Sequence, residues 1–336
     1  MLKNMPIIRR IDPFLIVLIG VVAAASLLPV RGAGVPIADG IADAAIMFLF
    51  FLHGAKLSRA AILAGIVSWR VHLLVMVATF VLFPLLGLGV FYSRLSVDPA
   101  LLTGILFLTL LPSTVQSSVA FTAIARGNVA AAVCSASISN MAGILLTPLL
   151  TSLLIGGSAA ASAESVRTIA VQLLLPFAAG HLCRPLIVKF LDKHKAIIGK
   201  VDRGSILIVV YNAFSAAVVG GIWQRLSPLD LAILMVICAI LLAAVMLATW
   251  FAALRAGLSV EDRIVVLFCG SKKSLVSGVP MASALFPAAV AGPVILPLML
   301  FHQLQLMVCA VIAQRYRDQA DVAVDGSALA PADVTR

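Results

Sequence analysis

From Pro13 to Ile312 the chain is a succession of apolar segments of membrane-crossing length, and one of them contains two adjacent lysines. The segments fall near 13–30, 38–54, 70–91, 99–125, 128–155, 166–183, 204–222, 229–252, 262–286 and 290–313. A hydrocarbon core about 30 Å thick is crossed by about 20 predominantly apolar residues in a helix. Lipid offers no hydrogen bonds, so a crossing segment must satisfy its own backbone, and runs of this length do so as helices. Only 11% of the residues are charged and 62% are hydrophobic, against about 25% charged in a soluble domain. The chain therefore reads as an all-α integral membrane protein of ten transmembrane helices, with the lipid bilayer as its first partner. The stretch before Arg31 is too long for the apolar part of a signal peptide and lacks a small-residue cleavage site, so it is taken as the first span.

A formal net charge of +10 would suit a nucleic-acid binder, but its distribution points elsewhere. Of the 24 lysines and arginines, only Arg31, Arg94, Arg167 and Arg225 fall on one face of this topology, and Lys272 and Lys273 fall within a span. The other eighteen share the opposite face, the asymmetry that marks the cytoplasmic side. Both termini are thus expected in the cytoplasm of a multi-pass protein of the cell (inner) membrane, with no nucleic acid as partner. Residues 1–317 make the membrane domain, and the polar, aperiodic stretch 318–336 is expected to be a disordered cytoplasmic tail. The five cysteines lie in apolar segments without metal-ligand or disulfide spacing. No cofactor is implied, and the oligomeric state is left open.

Two segments are interrupted at corresponding places. Leu95-Ser-Val-Asp98-Pro99 precedes the fourth span and Leu258-Ser-Val-Glu261-Asp262 the ninth. Asp98 with Pro99 reads as an N-cap and first helical residue, and Ser259 with Asp262 as a capping box. Each start leads into an apolar half-span and then a polar, helix-breaking patch, Pro112-Ser-Thr-Val-Gln-Ser-Ser118 and Gly270-Ser-Lys-Lys-Ser274. The halves, about 13–155 and 166–313, hold five spans each, and an odd number gives them opposite orientations. Paired broken helices in inverted repeats mark the binding site of a secondary transporter.

The residues that could carry this chemistry cluster at the breaks. Ser113, Thr114, Gln116, Ser117 and Ser118 either cap the half-helices or present oxygens to a cation. Ser135 and Ser139, one turn apart, and Asn140 serve helix packing or an ion site. Lys272 lies nine residues beyond Arg263, with Lys273 next to it, roughly 13 Å along a helix and close to the midplane. A charge there costs at least ~2.5–3.5 kcal/mol unless it is partnered. About 100° apart on a helix, one lysine is expected to face a cavity and the other to find a partner. No acidic residue occurs between Asp98 and Glu164 or between Asp262 and Asp318. The interior is therefore electropositive and suited to a small organic anion. His302, Gln303 and Gln305 add polar groups to the last span.

Pro112 with Ser117-Ser118, the turn Ala125-Arg126-Gly127-Asn128-Val129-Ala130, Gly270-Ser-Lys-Lys-Ser-Leu275 and Ser277-Gly278-Val279-Pro280 together resemble the bile acid:sodium symporter superfamily, in its branch of sodium-dependent bacterial transporters. The resemblance covers nearly the whole chain to about Arg317. It implies two discontinuous helices that cross, a substrate cavity beside them, and sodium (Na+) as coupling ion. Carried over, Ser117 and Ser118 stand at a sodium-binding pair, Ser135 and Ser139 near further sodium oxygens, and His302 and Gln303 at a pair lining the substrate cavity. Thr114, Gln116, Lys272 and Lys273 complete the expected substrate contacts. The family's ninth-span glutamate is absent, its position falling near Phe268, and lysines stand where amides would be.

The expected function is secondary active transport of an organic anion by alternating access around the broken helices. One alternative is a proton-coupled or uncoupled carrier in which Lys272 or Lys273 replaces sodium. Another is a regulatory or channel-like membrane protein that does not transport. An enzyme is not expected, because beyond a Ser271–Lys272 pair nothing resembles a catalytic constellation.

Overall fold

The computed structural model describes residues 13–56, 68–93, 97–156 and 170–328. These residues are helical throughout, apart from short connections. In chain order the helices are α1 (Pro13–Leu27), α2 (Gly34–Lys56) and α3 (Trp69–Phe91), the last with a π turn at Ala78–Leu82. Next come the half-helices α4 (Pro99–Leu110) and α5 (Gln116–Ile124), then α6 (Val129–Leu154). The second part of the chain gives α7 (Leu175–Lys193), α8 (Lys195–Val219) and α9 (Pro228–Arg255). It ends with the half-helices α10 (Val260–Gly270) and α11 (Leu275–Leu285), and with α12 (Ala288–Ala328).

Eight helices, with α10 and α11 counted together, are long and apolar enough to cross a membrane. Two shorter apolar stretches among the described residues, Ile16–Leu27 and Pro99–Leu110, fall below that length, the second because it ends at the break before Pro112. The outer faces carry stripes such as Leu145, Leu149 and Leu153 on α6, spaced one turn apart as a lipid-facing row requires. The second broken helix is the opposite case. From Ile264 to Cys269 every side chain is buried, so this element forms the centre of the molecule.

Local signals set the starts of both broken helices. Asp98 accepts a hydrogen bond from Ala100 N at 2.8 Å with Pro99 in the first turn. Ser259 accepts from Asp262 N at 3.2 Å. The expected reciprocal half of that capping box is replaced: the Asp262 carboxylate accepts from Asn128 Nδ2 at 2.9 Å, while Asn128 N donates to Glu261 O at 3.2 Å. The Ala-Arg-Gly-Asn turn is thus a docking element between the two halves. Arg126 takes a left-handed φ of 59°, and a Cβ at Gly127 would lie 2.6 Å from Ile264 Cγ2.

Two boundaries differ from the sequence expectation. The basic stretch between the spans at 166–183 and 204–222 is not a loop: α7 continues to Lys193 and α8 begins at Lys195, with His194 between them. Long basic side chains can lie along a helix with their charges in water, so polarity alone does not end it. Likewise α12 runs to Ala328, so residues 318–328 continue the helix rather than forming an aperiodic tail. Alanine, glutamine and arginine in Gln314–Val324 favour helix once it has begun. Arg94, Leu95, Ser96, Glu164, Arg167 and residues 329–336 lie outside the described residues.

The tightest helix pair is α2 with α7. A Cβ at Gly54 would fall 2.0 Å from Phe177 O, and one at Gly180 would fall 1.9 Å from Phe51 O. Only glycine allows the two backbones to approach this closely. Gly54→Ala or Gly180→Ala is expected to cost about 1–3 kcal/mol through overpacking. Either should lower the melting temperature of the detergent-solubilised protein by several degrees. Gly40→Ala, in open space on the same helix α2, should leave it unchanged.

Candidate functional site

A helix that breaks inside a membrane releases backbone groups that must be bonded again. Here the two breaks satisfy each other. Ser274 N donates to Pro112 O at 2.9 Å, joining the unwound segments directly. Ser113 Oγ donates to Cys269 O at 2.6 Å and Ser118 Oγ to Phe268 O at 3.3 Å, so hydroxyls of the first break take up the last carbonyls of α10. From α6, Ser139 Oγ accepts from Ser113 N at 3.1 Å and Thr147 Oγ1 donates to Leu110 O at 2.8 Å. From α12, Gln305 holds both backbone groups of Lys273: its Oε1 accepts from Lys273 N at 2.8 Å and its Nε2 donates to Lys273 O at 2.9 Å.

The ammonium of Lys273 completes the set. Its three N–H groups donate to Thr79 O at 2.9 Å, Thr109 O at 2.8 Å and Leu111 O at 2.7 Å, and its Nζ lies 4.1 Å from the centre of the Phe83 ring. Each of these carbonyls is free for a local reason. In the π turn of α3, Phe83 N donates to Ala78 O, which would leave Thr79 O to residue 84. That residue is Pro84, which has no N–H. Thr109 would be served by Ser113 N, which turns to Ser139 instead. Leu111 is already extended, with ψ at 155°. One buried cation thus ties α3 and the first break to the second break, through hydrogen bonds worth about 1.5–3 kcal/mol each when the donor is charged.

Lys272 behaves differently. Its Nζ has no hydrogen-bond partner and lies 4.0 Å from the Phe121 ring centre and 5.4 Å from that of Phe268. Phe121 belongs to α5, so the two lysines grip the two halves of the first broken helix. Ser271 Oγ donates to Leu267 O at 2.5 Å, so Ser271 and Lys272 form no hydrogen-bonded pair.

A cavity of about 610 Å³ lies against the breaks. One wall carries Thr114, Gln116, Ser117, Asn140, Ser277 and His302, so the first turns of α5 and α11 open onto it. The other wall is built by His53 and Lys56 of α2 and by Lys200, Asp202 and Arg203 of α8. Lys56 forms an ion pair with Asp202 across the two helices. Lys200 and Arg203 are exposed, so the cavity reaches solvent at that end.

Of the residues expected at the site, Thr114, Gln116, Ser117, Asn140 and His302 line the cavity. Lys272 and Lys273 are fully buried and do not, so neither lysine faces the cavity. The expected division of one cavity lysine and one partnered lysine gives way to one held by carbonyls and one held by aromatic rings. Gln303 also lies off the wall, with its Oε1 buried and without a hydrogen bond. Ser118 and Ser139 are buried in the junction, and Ser135 bonds His72 Nδ1 at 2.6 Å, apart from it. Ser277 Oγ donates to Asn140 Oδ1 at 2.8 Å. Sequence reasoning did not give Gln305, Thr79, Thr109 or the α2–α8 wall their roles. The last signal was present, as basic residues counted only as markers of topology.

The model of the SBF-like CPA transporter family matches residues 12–318. A protein of Escherichia coli K12 named Putative symporter YfeH is 52% identical over 319 residues, covering 94% of this chain and 96% of its own length. Sodium/bile acid cotransporter 7 of Xenopus tropicalis is 28% identical over 313 residues, covering 90% of this chain and 91% of its own. The protein of the same name in Mus musculus is 26% identical over 313 residues, covering 90% and 92%. These relatives bear out the expected likeness to the bile acid:sodium symporter superfamily. The match runs from the first helix through the last membrane segment, and the chain belongs to the SBF-like CPA transporter family.

Proposed function

We propose that this protein is a secondary active transporter of an organic anion, in which the Lys273 ammonium is a built-in cation at the meeting point of the broken helices. The observation that carries this reading is the cavity beside that meeting point, which takes the first turns of both α5 and α11 into one wall. Helix starts present free N–H groups and a partial positive charge, which favour an anion. No side chain caps α5, so its first N–H groups remain available, whereas at α11 Ser274 Oγ already accepts from Ser277 N at 3.1 Å. The apolar residues Met141, Phe177 and Leu306 also line the cavity and suit a carbon skeleton.

In this proposal α1 and α4 join the eight longer helices to make ten crossings, in two halves of opposite orientation. The charge asymmetry supports cytoplasmic termini in the inner membrane, and it assigns the face with Lys56, Lys200 and Arg203 to the cytoplasm. The cavity then represents the inward-facing state. Alternating access would move the bonded unit of breaks, α3, α6 and α12 against α2, α7 and α8.

The three carbonyls around Lys273 are ligands that a sodium ion would also accept. A second cation about 4 Å away would be repelled by ~4 kcal/mol at an effective dielectric of about 20. Sodium is therefore not the coupling ion at this position; a proton gradient drives the cycle, and a carrier run by the substrate's own gradient is the uncoupled alternative.

Thermal melting in sodium, potassium and choline at equal ionic strength tests this reading. The wild-type protein is expected to melt at the same temperature in all three. A ligand at 100 times its dissociation constant adds about 2.7 kcal/mol, so a sodium-specific rise of a few degrees would refute the built-in cation.

Lys273→Ala leaves three buried carbonyls without a donor, at about 1–3 kcal/mol each. This variant should melt well below wild type in choline and recover part of the loss in sodium. Recovery in none of the salts would refute the view that the lysine occupies an ion's place. Concentrative uptake of carboxylates by proteoliposomes, with and without a pH gradient, distinguishes a carrier from a channel-like protein.

A further inference from the structure

The two walls of the cavity carry different chemistry. The wall at the breaks has no charged side chain: it offers hydroxyls, amides and the first turns of α5 and α11. The opposite wall carries Lys56, Lys200 and Arg203 against Asp202 alone, an excess of two positive charges. Lys56 is already spoken for, because its ammonium pairs with the Asp202 carboxylate, which is 8% exposed. Lys200 and Arg203 form no ion pair among the described residues. They stand three apart on α8, hence on one face. The Arg203 guanidinium rests 5.7 Å from the ring centre of Phe14, another cavity residue. Such packing holds the group in place without neutralising it. Apart from these polar groups the lining includes the apolar side chains of Met141, Phe177, Ile206 and Leu306.

We infer that the substrate is an organic dianion with an apolar spacer, one anionic group lying at the starts of α5 and α11 and the second bound by Lys200 and Arg203. The inference rests on the organic-anion reading above and deepens it. A monoanion seated at the break wall leaves the two free cations at the far end uncompensated. A second carboxylate, sulfate or phosphate there matches them in number and in sign. An arginine takes such a group through two parallel hydrogen bonds, and a lysine adds a point charge. A cavity of about 610 Å³ is within the ordinary range for a ligand of drug-like size. The Lys56–Asp202 pair lies beside this subsite, joining α2 to α8 and setting the wall on which the cations stand.

The same two cations could instead receive the phosphate of an anionic lipid, so the experiment separates a soluble dianion from a headgroup. The purified protein in neutral detergent is titrated with linear α,ω-dicarboxylates of six to twelve carbons. Each is compared with its own monomethyl ester, which keeps the skeleton and removes one charge. Binding is read from the melting temperature at constant ionic strength. At the best length the diacid should bind the wild-type protein at least tenfold more tightly than its monoester. In Lys200→Gln/Arg203→Gln that preference should shrink to within threefold. The charge-conserving Lys200→Arg/Arg203→Lys should restore most of it, which excludes a mere loss of folding.

Equal affinity of diacid and monoester for the wild type would overturn the inference while leaving the organic-anion reading intact. So would a preference that survives the double glutamine variant. Stabilisation by phosphatidylglycerol, lost in the double glutamine variant and unaffected by diacids, would also overturn it and assign the cations to lipid. If neither diacids nor monoesters bind, the organic-anion reading itself fails.

Discussion

The structure depends on how the backbone released by two broken helices is bonded again without water. The carbonyls of Leu110, Leu111, Phe268 and Cys269 and the N–H groups of Ser113, Lys273 and Ser274 all end on partners from another part of the chain. The Lys273 ammonium is the largest contributor, since it serves three carbonyls at once. An ammonium at this depth would be costly alone. Three oxygens at 2.7–2.9 Å turn that liability into a joint between α3, the first break and the second. The joint then fixes Phe121, Phe268 and Lys272 beside it, and through Gln305 it fixes α12 as well.

From this joint the division of labour in the protein follows. The breaks are joined by hydrogen bonds between their own polar groups, and the first turns of α5 and α11 still open onto the cavity. The facing wall is built on another principle, with α2 and α7 packed backbone to backbone through Gly54 and Gly180. Small-residue contacts of this kind depend on shape and not on charge. Beside the cavity the two bodies also share apolar core, with Val210, Ala213 and Phe214 of α8 in one buried cluster with Val279 of α11 and Val294 and Leu298 of α12.

Much of this was legible in the sequence, and for identifiable reasons. Pro112 and Gly270 interrupt apolar segments, Asp98 and Ser259 announce helix starts, and two lysines without nearby acids demand an unusual environment. What the lysines would find was not legible. The Thr79 carbonyl is freed by a π turn followed by Pro84, and nothing in the composition of 78–82 distinguishes a π turn from an α turn. Charge in 184–203 reads as the end of a span, while the chain keeps its helical geometry there apart from His194. That one boundary concealed Lys200, Asp202 and Arg203 as cavity residues. The Ser259 half of the Ser259–Asp262 box forms, but its reciprocal half does not, because the carboxylate has a partner in Asn128, distant in sequence and adjacent in space.

A tethered cation and a diffusible one differ in what they contribute to transport. A sodium ion that binds at a helix junction stabilises it in proportion to its concentration and carries gradient energy when it leaves. The Lys273 ammonium stabilises the same kind of junction at every ion concentration, but being covalently attached it cannot be released on the other side. In the proposed cycle, then, the junction's stability and the driving force of transport are separate quantities. Whatever gradient is used must act through groups that change partners during the cycle. The cavity wall supplies such groups: Lys200 and Arg203 reach solvent, and Asp202 holds Lys56 with a carboxylate whose second oxygen has no hydrogen bond. Charge that can be exchanged sits at the cavity mouth, and charge that cannot be exchanged sits at the joint.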